Sequence, residues 1–194
     1  MHDIEPYYHW IGEYSAAKDP QSPFYGRQYS EFEFSNTIYN YFIHPQWDNF
    51  GSKTLYAKIL YADYEKHYAI IECIGEWNDC LYNDIMIFKQ SVIEILQQHG
   101  IHKFILVLEN VLSFHASDDC YYEEWLEEVQ EEGGWICAIN LLEHVERDLQ
   151  QAHLDDFIHM GTPLNGIPWR TYRPEHFFAQ IDQIIQTQRP KMLF

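Results

Sequence analysis

Basic residues are scarce in this sequence. The 194 residues include 12 Lys and Arg against 30 Asp and Glu, so the formal net charge is −18 at pH 7. A surface with this excess of negative charge repels the phosphates of nucleic acids and of anionic lipid headgroups. We therefore expect neither nucleic acid nor a membrane as a partner. The charge serves solubility, or it forms a docking face for a basic protein.

Long hydrophobic runs are also missing. The longest aliphatic and aromatic run, FILVL at 104–108, is far shorter than the roughly 20 residues that a membrane-spanning helix needs. The N-terminal MHDIEPYYHW carries acidic residues where a signal peptide would have a basic segment followed by an apolar one. The sequence therefore predicts a cytoplasmic protein.

Cysteine pairs and recognisable catalytic motifs are absent from the sequence. The four cysteines, Cys73, Cys80, Cys120 and Cys137, form no C-x-x-C pair and are expected to be free thiols in a reducing cell. There is no phosphate-binding glycine loop, no H-E-x-x-H and no G-x-S-x-G. We therefore expect no cofactor, and we favour a protein that is not an enzyme.

Aromatic residues, by contrast, are abundant, at 17% of the chain. Many of them lie in residues 1–52, where aliphatic residues are few and prolines interrupt any long element. Only YSEFEF at 29–34 alternates like a short strand. We expect an irregular arm that packs on the main domain or, in a homo-oligomer, on a second copy. If the arm instead closes over an apolar pocket, the protein is a small-molecule carrier.

From residue 53 onward, strand patterns alternate with helix patterns. The predicted strands are 54–64 and 67–75, joined as a hairpin, then 103–111, 135–141 and 155–160. The predicted helices are 84–100, 118–132, 143–152 and 174–188. Strands that alternate with helices through short links form mostly parallel sheets. We therefore expect residues 53–194 to form an α/β domain with a mostly parallel sheet of four to five strands.

Three segments of this domain carry a resemblance to a known family. They are IGEWND at 74–79, KFILVLENVLSF at 103–114 and GGWICAINLLEHVERDL at 133–149. In this order and spacing, residues from about 66 to 160 resemble the STAS domain of sulfate transporters and anti-sigma factor antagonists. The resemblance implies a sheet with helices packed mainly on one face. It also implies a regulatory module that binds a protein partner and has a loop serine that a kinase phosphorylates.

The loop after KFILVLENVLSF departs from the family's pattern. If residues 112–114 are aligned with the family's hydrophobic triplet, Ser117 takes the position of the phosphorylated serine. Asp118 and Asp119 then replace a second serine and a glycine, and Ala116 replaces an aspartate; without a one-residue gap, Ala116 itself takes the serine's position. Two carboxylates beside Ser117 repel an incoming phosphoryl group. Asp118 and Asp119 would instead supply a permanent negative charge.

Three interpretations of HASDD at 115–119 stay open. In the first, Ser117 caps the following helix and the aspartates interact with the helix dipole. In the second, the segment and the acidic helix form a switch or partner-binding surface, made of His115, Ser117, Asp118, Asp119, Glu123 and Glu124. In the third, the protein is a metal-dependent enzyme or metal-binding protein whose ligands are His115, Asp118 and Asp119.

A long loop near the C-terminus, residues 160–176, combines aromatic and basic side chains in an otherwise acidic protein. Tryptophan and arginine are frequent at the energetic centres of protein interfaces. Trp169, Arg170 and Arg173 are therefore candidate interface anchors. The alternative is that they clamp the loop onto the body of the same chain.

Overall fold

The order of strands and helices predicted between residues 54 and 152 matches the structure. The computed structural model of the protein describes residues 4–188. Its strands are β1 (Thr37–Ile38), β2 (Tyr41–Phe42), β3 (Leu55–Asp63), β4 (Tyr68–Asn78), β5 (Lys103–His115) and β6 (Trp135–Ile139). Its α-helices are α1 (Asp79–Tyr82), α2 (Asp84–Phe88), α3 (Glu94–Gln98), α4 (Cys120–Glu131), α5 (Glu143–Gln151) and α6 (Pro174–Gln188). A π-helical segment, Lys89–Ile93, joins α2 to α3.

A four-stranded sheet with the order β3-β4-β5-β6 forms the centre of the fold. β3 and β4 form an antiparallel hairpin, whereas β4 with β5 and β5 with β6 pair in parallel. The sheet is therefore mixed, with a majority of parallel pairings. The predicted α/β class and strand number are confirmed. Residues 104–108 of β5 are all buried, as expected for an apolar run that is covered on both faces.

Helices α2 to α5 cover one face of the sheet. On this side, the ring of Phe88 packs against Trp77 and Trp125, with centroids 5.6 and 6.2 Å apart. Trp125 also meets Phe104 of β5 edge to face. This face matches the one-sided packing of helices that the STAS resemblance implies.

The last helix, α6, packs on the opposite face. Its Phe177 and Ile181 are fully buried in a cluster with Trp135 of β6. Trp10 of the N-terminal arm belongs to the same cluster, so this face is covered by the two ends of the chain together. Within residues 4–188, no helix is both long and apolar enough to cross a membrane.

The arm differs from the prediction in where its strands lie. Residues 29–34 are not a strand; the hairpin of the arm is formed by β1 and β2. The side-chain oxygen of Ser30 accepts hydrogen bonds from the backbone N–H groups of Phe32 and Glu33, at 3.2 and 2.8 Å. This local turn replaces strand pairing, and Phe32 points into solvent with 86% of its surface exposed.

The prediction of a strand at 155–160 is also wrong. A short 3₁₀ helix, Leu154–Asp156, occupies its first half. Only His159 pairs with the sheet, through a single parallel bridge to Cys137 at the outer edge of β6. The sheet therefore ends at β6, with one residue covering its edge.

Candidate functional site

The predicted switch loop lies where the parallel strands end. The last residues of β4 and β5, Asn78 and His115, are directly paired. His115 and the next four residues are all exposed. We call residues 115–119 the tip. The tip stands at the carboxyl edge of the sheet, between the end of β5 and the start of α4.

Ser117 does not cap the helix that follows, so this part of the capping interpretation is wrong. Helix α4 begins at Cys120, and Asp119 occupies the N-cap position without a side-chain capping bond. The backbone oxygen of Asp119 instead accepts hydrogen bonds from Tyr122 and Glu123, at 2.9 and 3.0 Å. Ser117 is two residues before the cap, where its exposed hydroxyl makes no hydrogen bond within residues 4–188.

The carboxylates of the tip are exposed and only one has a close partner. The thiol of Cys120 donates a hydrogen bond to Asp118 Oδ1 at 2.7 Å. This hydrogen bond and the nearby charge raise the pKa of the Cys120 thiol, which makes the thiolate scarcer. On the first turns of α4, Glu123 and Glu124 are also exposed. The tip and this helix face therefore form a continuous acidic surface.

A buried lysine holds α4 against the neighbouring helices. Lys89 lies in the π-helical segment, and its ammonium is within 3.2 Å of Glu94, 3.4 Å of Glu124 and 2.9 Å of Glu128. Burial lowers the pKa of Lys89, but the hydrogen bonds and charges of the glutamates outweigh it, and the net shift is upward. Lys89 therefore stays charged and ties α4, through Glu124 and Glu128, to the segment that carries Lys89 and Glu94.

Two buried carboxylates lie beneath the tip, and sequence reasoning did not single them out. Asp79 accepts hydrogen bonds from Trp77 Nε1 at 3.0 Å, from the Ile85 N–H at 2.8 Å and from the Tyr122 hydroxyl at 2.6 Å. Asp84 is fully buried and accepts from the Asn78 N–H at 2.8 Å. Burial raises the pKa of Asp79 to about 6. The signal in the sequence was a polar Asn-Asp pair directly after a buried strand.

Replacing Tyr122 by phenylalanine is expected to lower the free energy of unfolding by about 1–3 kcal/mol. The buried Asp79 carboxylate would lose a donor that comes from α4, the helix behind the tip. Urea denaturation near neutral pH measures the change. Tyr121→Phe is the matched control, because Tyr121 is half-buried and makes no hydrogen bond through its hydroxyl within residues 4–188. Equal costs for the two variants would contradict the role of this contact.

The structure does not assemble the metal site that the sequence suggested. Across residues 4–188, no group of three or more His, Cys, Asp or Glu side chains is placed to hold a metal ion. His115, Asp118 and Asp119 are exposed neighbours along the chain that do not converge on one point. The alternative of a metal-dependent enzyme at the tip is therefore not supported.

Of the three candidate anchors in the C-terminal loop, Trp169 is buried, and Arg170 is exposed but pairs with acids of the sheet. Trp169 is buried, with its ring centroid 4.9 Å from Tyr7 and 5.6 Å from Trp10 of the arm. The guanidinium of Arg170 pairs with Glu109 at the end of the apolar part of β5. Arg173 is exposed. Trp169 and Arg170 thus clamp this loop onto the arm and the sheet.

A third buried acid, Glu72, lies in the middle of β4 under the arm. Its carboxylate accepts hydrogen bonds from the Tyr7 N–H at 2.8 Å and Asn110 Nδ2 at 3.3 Å, and Arg170 is 3.6 Å away. Burial raises the pKa of Glu72 to about 7, although the Tyr7 N–H and the Arg170 charge lower it. An acid inside the apolar run IIECIG was the only sequence signal of this site.

Comparisons with known proteins give matches at the level of structure only. No protein-family model and no curated protein matches the chain. A crystal structure from Thermotoga maritima, described as a "putative anti-sigma factor antagonist", is 22% identical, with a TM-score of 0.39; the match covers 55% of this chain and 86% of that chain. An NMR structure of the protein TM1081 is 25% identical, with a TM-score of 0.37, and covers 46% and 73%.

The first of these structures is described in the terms of the family that residues from about 66 to 160 resemble. The likeness covers about half of the chain.

Proposed function

We propose that this protein is a non-enzymatic regulatory module that binds another protein through the tip and the exposed acidic face of α4. The observation that carries the proposal is the exposed run from His115 to Asp119, which lies next to the buried side chains of Asp79 and Tyr122. Lys89 fixes α4 from one side, and the Tyr122–Asp79 hydrogen bond fixes it from below. A rigid support lowers the entropy that binding would otherwise cost.

The charge of the surface indicates the chemistry of its partner. Asp118, Asp119, Glu123 and Glu124 are all exposed, and Glu124 alone has a described cationic partner, Lys89. A partner with lysine or arginine side chains would gain complementary contacts and a faster encounter. Because these charges are exposed, added salt should weaken the complex strongly.

The serine of the tip does not have to be phosphorylated for this surface to be negative. Asp118 and Asp119 directly follow Ser117 and place two carboxylates beside it. A phosphoryl group would add to this charge at a close distance, against repulsion. The proposed surface therefore carries its negative charge without phosphorylation. We expect it to bind its partner constitutively.

Affinity capture from a native lysate tests the proposal. A variant with Ser117→Arg and Asp118→Lys should lose captured partners by at least about tenfold, a change of about 1.4 kcal/mol in binding. Glu65→Lys is the control, because Glu65 is exposed in the β3–β4 turn at the opposite end of the sheet. The control should capture the same partners as the natural protein.

The salt dependence of capture gives an independent readout. Raising the ionic strength from about 0.1 M to about 1 M shortens the Debye length from roughly 10 Å to roughly 3 Å. The proposal expects partners to be released across this range. It fails if the natural protein captures nothing above background, or if the tip variant captures the same partners as the control.

A further inference from the structure

A cavity of about 310 Å³ lies between the N-terminal arm and the edge strand β3. The first part of the arm, residues 5–18, forms one wall, and residues 58–60 of β3 form the other. The rest of the lining includes Arg27, Tyr29 and Gln46. The volume lies at the lower end of the range for pockets that bind small organic molecules.

Tyrosine rings supply much of the apolar lining. Tyr7, Tyr14 and Tyr29 line the cavity, and each hydroxyl has a partner elsewhere. Tyr7 donates to the Arg170 carbonyl at 2.8 Å, Tyr14 to the Asp19 carboxylate at 2.8 Å, and Tyr29 to the Asp48 carboxylate at 2.7 Å. Since the hydroxyls are already satisfied, the rings offer apolar surface to an occupant.

The same cavity concentrates positive charge in an acidic protein. Lys18, Arg27 and Lys58 line it, against a single lining carboxylate, Glu5. The protein as a whole has only 12 Lys and Arg and a net charge of −18. A second groove, of about 610 Å³, is lined by four glutamates and by no lysine or arginine. The two spaces therefore attract ligands of opposite charge.

The positive charge of the cavity is only partly neutralised. Arg27 and Lys58 share one fully buried carboxylate, Asp48, at 3.2 and 3.3 Å. One carboxylate balances one of the two cations, so a positive charge is left over. Lys18 adds another, because it is exposed and has no ion pair within residues 4–188. Glu5 offsets one of these two charges, so the three cations of the lining still outnumber the carboxylates of Glu5 and Asp48 by one.

We infer that this cavity is a binding site for a small organic anion, with one carboxylate or sulfonate group on an aromatic or aliphatic body. The anionic group would lie at the lysine and arginine side chains, and the body would pack on the tyrosine rings and on Ile59 and Leu60. Hydrogen bonds from cations to an anion are stronger than those between neutral groups. The surface elsewhere repels anions, so binding concentrates in this cavity.

A pair of fluorescent dyes tests the charge requirement. Anilinonaphthalene sulfonate is an aromatic anion, and phenylnaphthylamine is a neutral molecule of similar shape. In fluorescence titrations of the full chain, the anion is expected to bind one site per chain, with a dissociation constant at least about tenfold lower than that of the neutral dye. Equal affinities for the two dyes, or no saturable binding of the anion, would overturn the inference.

Variants of the cavity test its location. Lys18→Gln should weaken binding of the anion about threefold and leave the neutral dye unchanged. Lys66→Gln removes the same charge from an exposed site beside Asp63 and Glu175 and should change neither affinity. Ala17→Phe, which fills the cavity, should weaken both dyes by at least about tenfold.

A surface variant covers the case in which Ala17→Phe does not fold. Ile11 lines the rim of the cavity with 63% of its surface exposed, so Ile11→Glu should leave the fold intact. The added carboxylate should weaken the anion about threefold without affecting the neutral dye. Unchanged affinity for the anion in both Lys18→Gln and Ile11→Glu would place the dye elsewhere and overturn the inference.

Discussion

Replacing Gly134 by alanine is expected to lower the free energy of unfolding by at least about 3 kcal/mol. Gly134 connects the end of α4 to β6, and a Cβ atom there would overlap the backbone oxygen of His102 and lie 2.8 Å from that of Val129. Both obstacles are backbone atoms, so the connection between α4 and β6 would have to move away from the backbone of His102. For a chain of this size, the melting temperature should fall by about 6–12 °C.

Alanine variants of two other glycines distinguish the cost of steric overlap from the cost of an unfavourable backbone conformation. Gly133 has a φ of +72° but open space around its Cβ position, so Gly133→Ala should cost about 1–2 kcal/mol. Gly12 also has open space and no such φ, so Gly12→Ala should change little. Chemical denaturation of the three variants measures the ranking. The close approach of Gly134 to the His102 carbonyl is contradicted if Gly134→Ala is no less stable than Gly133→Ala.

The second large effect is a dependence of stability on pH through Glu72. Burial raises the pKa of this carboxyl to about 7 from its ordinary value of 4.5. Between these two values, the folded protein holds a proton that the unfolded chain has released. The contribution of the protonated Glu72 carboxyl to the free energy of unfolding is therefore complete below about pH 4.5. It falls as the pH rises and is lost above about pH 7. The shift corresponds to about 3 kcal/mol.

Glu72→Gln should remove this part of the pH dependence. Urea denaturation at several pH values between about 5 and about 8 compares the slope of stability against pH in the two proteins. The slope caused by Asp79 and by general charge repulsion is common to both and cancels in the difference. Glu65→Gln, at an exposed acid, should keep the natural slope. Identical slopes for Glu72→Gln and the natural protein would contradict a raised pKa at Glu72.

Local sequence patterns were enough to predict most of the sheet domain. The helix predicted at 174–188 is observed as Pro174–Gln188, because a proline suited to the first turn precedes a regular apolar stripe. The hairpin predicted at 54–64 and 67–75 is observed as Leu55–Asp63 and Tyr68–Asn78. In these segments, burial of the apolar face and intrinsic propensity favour the same structure.

The arm could not be predicted in the same way, because its structure depends on distant residues. YSEFEF alternates like a strand, but no neighbouring strand pairs with it, and Ser30 forms a local turn instead. The buried ring of Trp47 is held by a hydrogen bond to the carbonyl of Ile4, far away in the sequence. Contacts of this kind leave no periodic signal.

The buried acids were missed for a related reason. Asp79 and its donor Tyr122 are 43 positions apart, and Glu72 and its donor Tyr7 are 65 positions apart. An acidic residue in a sequence window looks the same whether it is solvated or held by such partners. The exposed location of the tip, by contrast, followed from its place between a strand and a helix.

The contact between Tyr7 and Glu72 limits how this chain can be shortened for experiments. A fragment that starts at residue 53, at the boundary suggested by composition, would lack the amide that faces the Glu72 carboxylate. It would also uncover the indole of Trp169 and take away one wall of the cavity beside β3. Such a fragment would lack contacts that hold the buried core together. Both binding hypotheses therefore have to be studied with the arm attached.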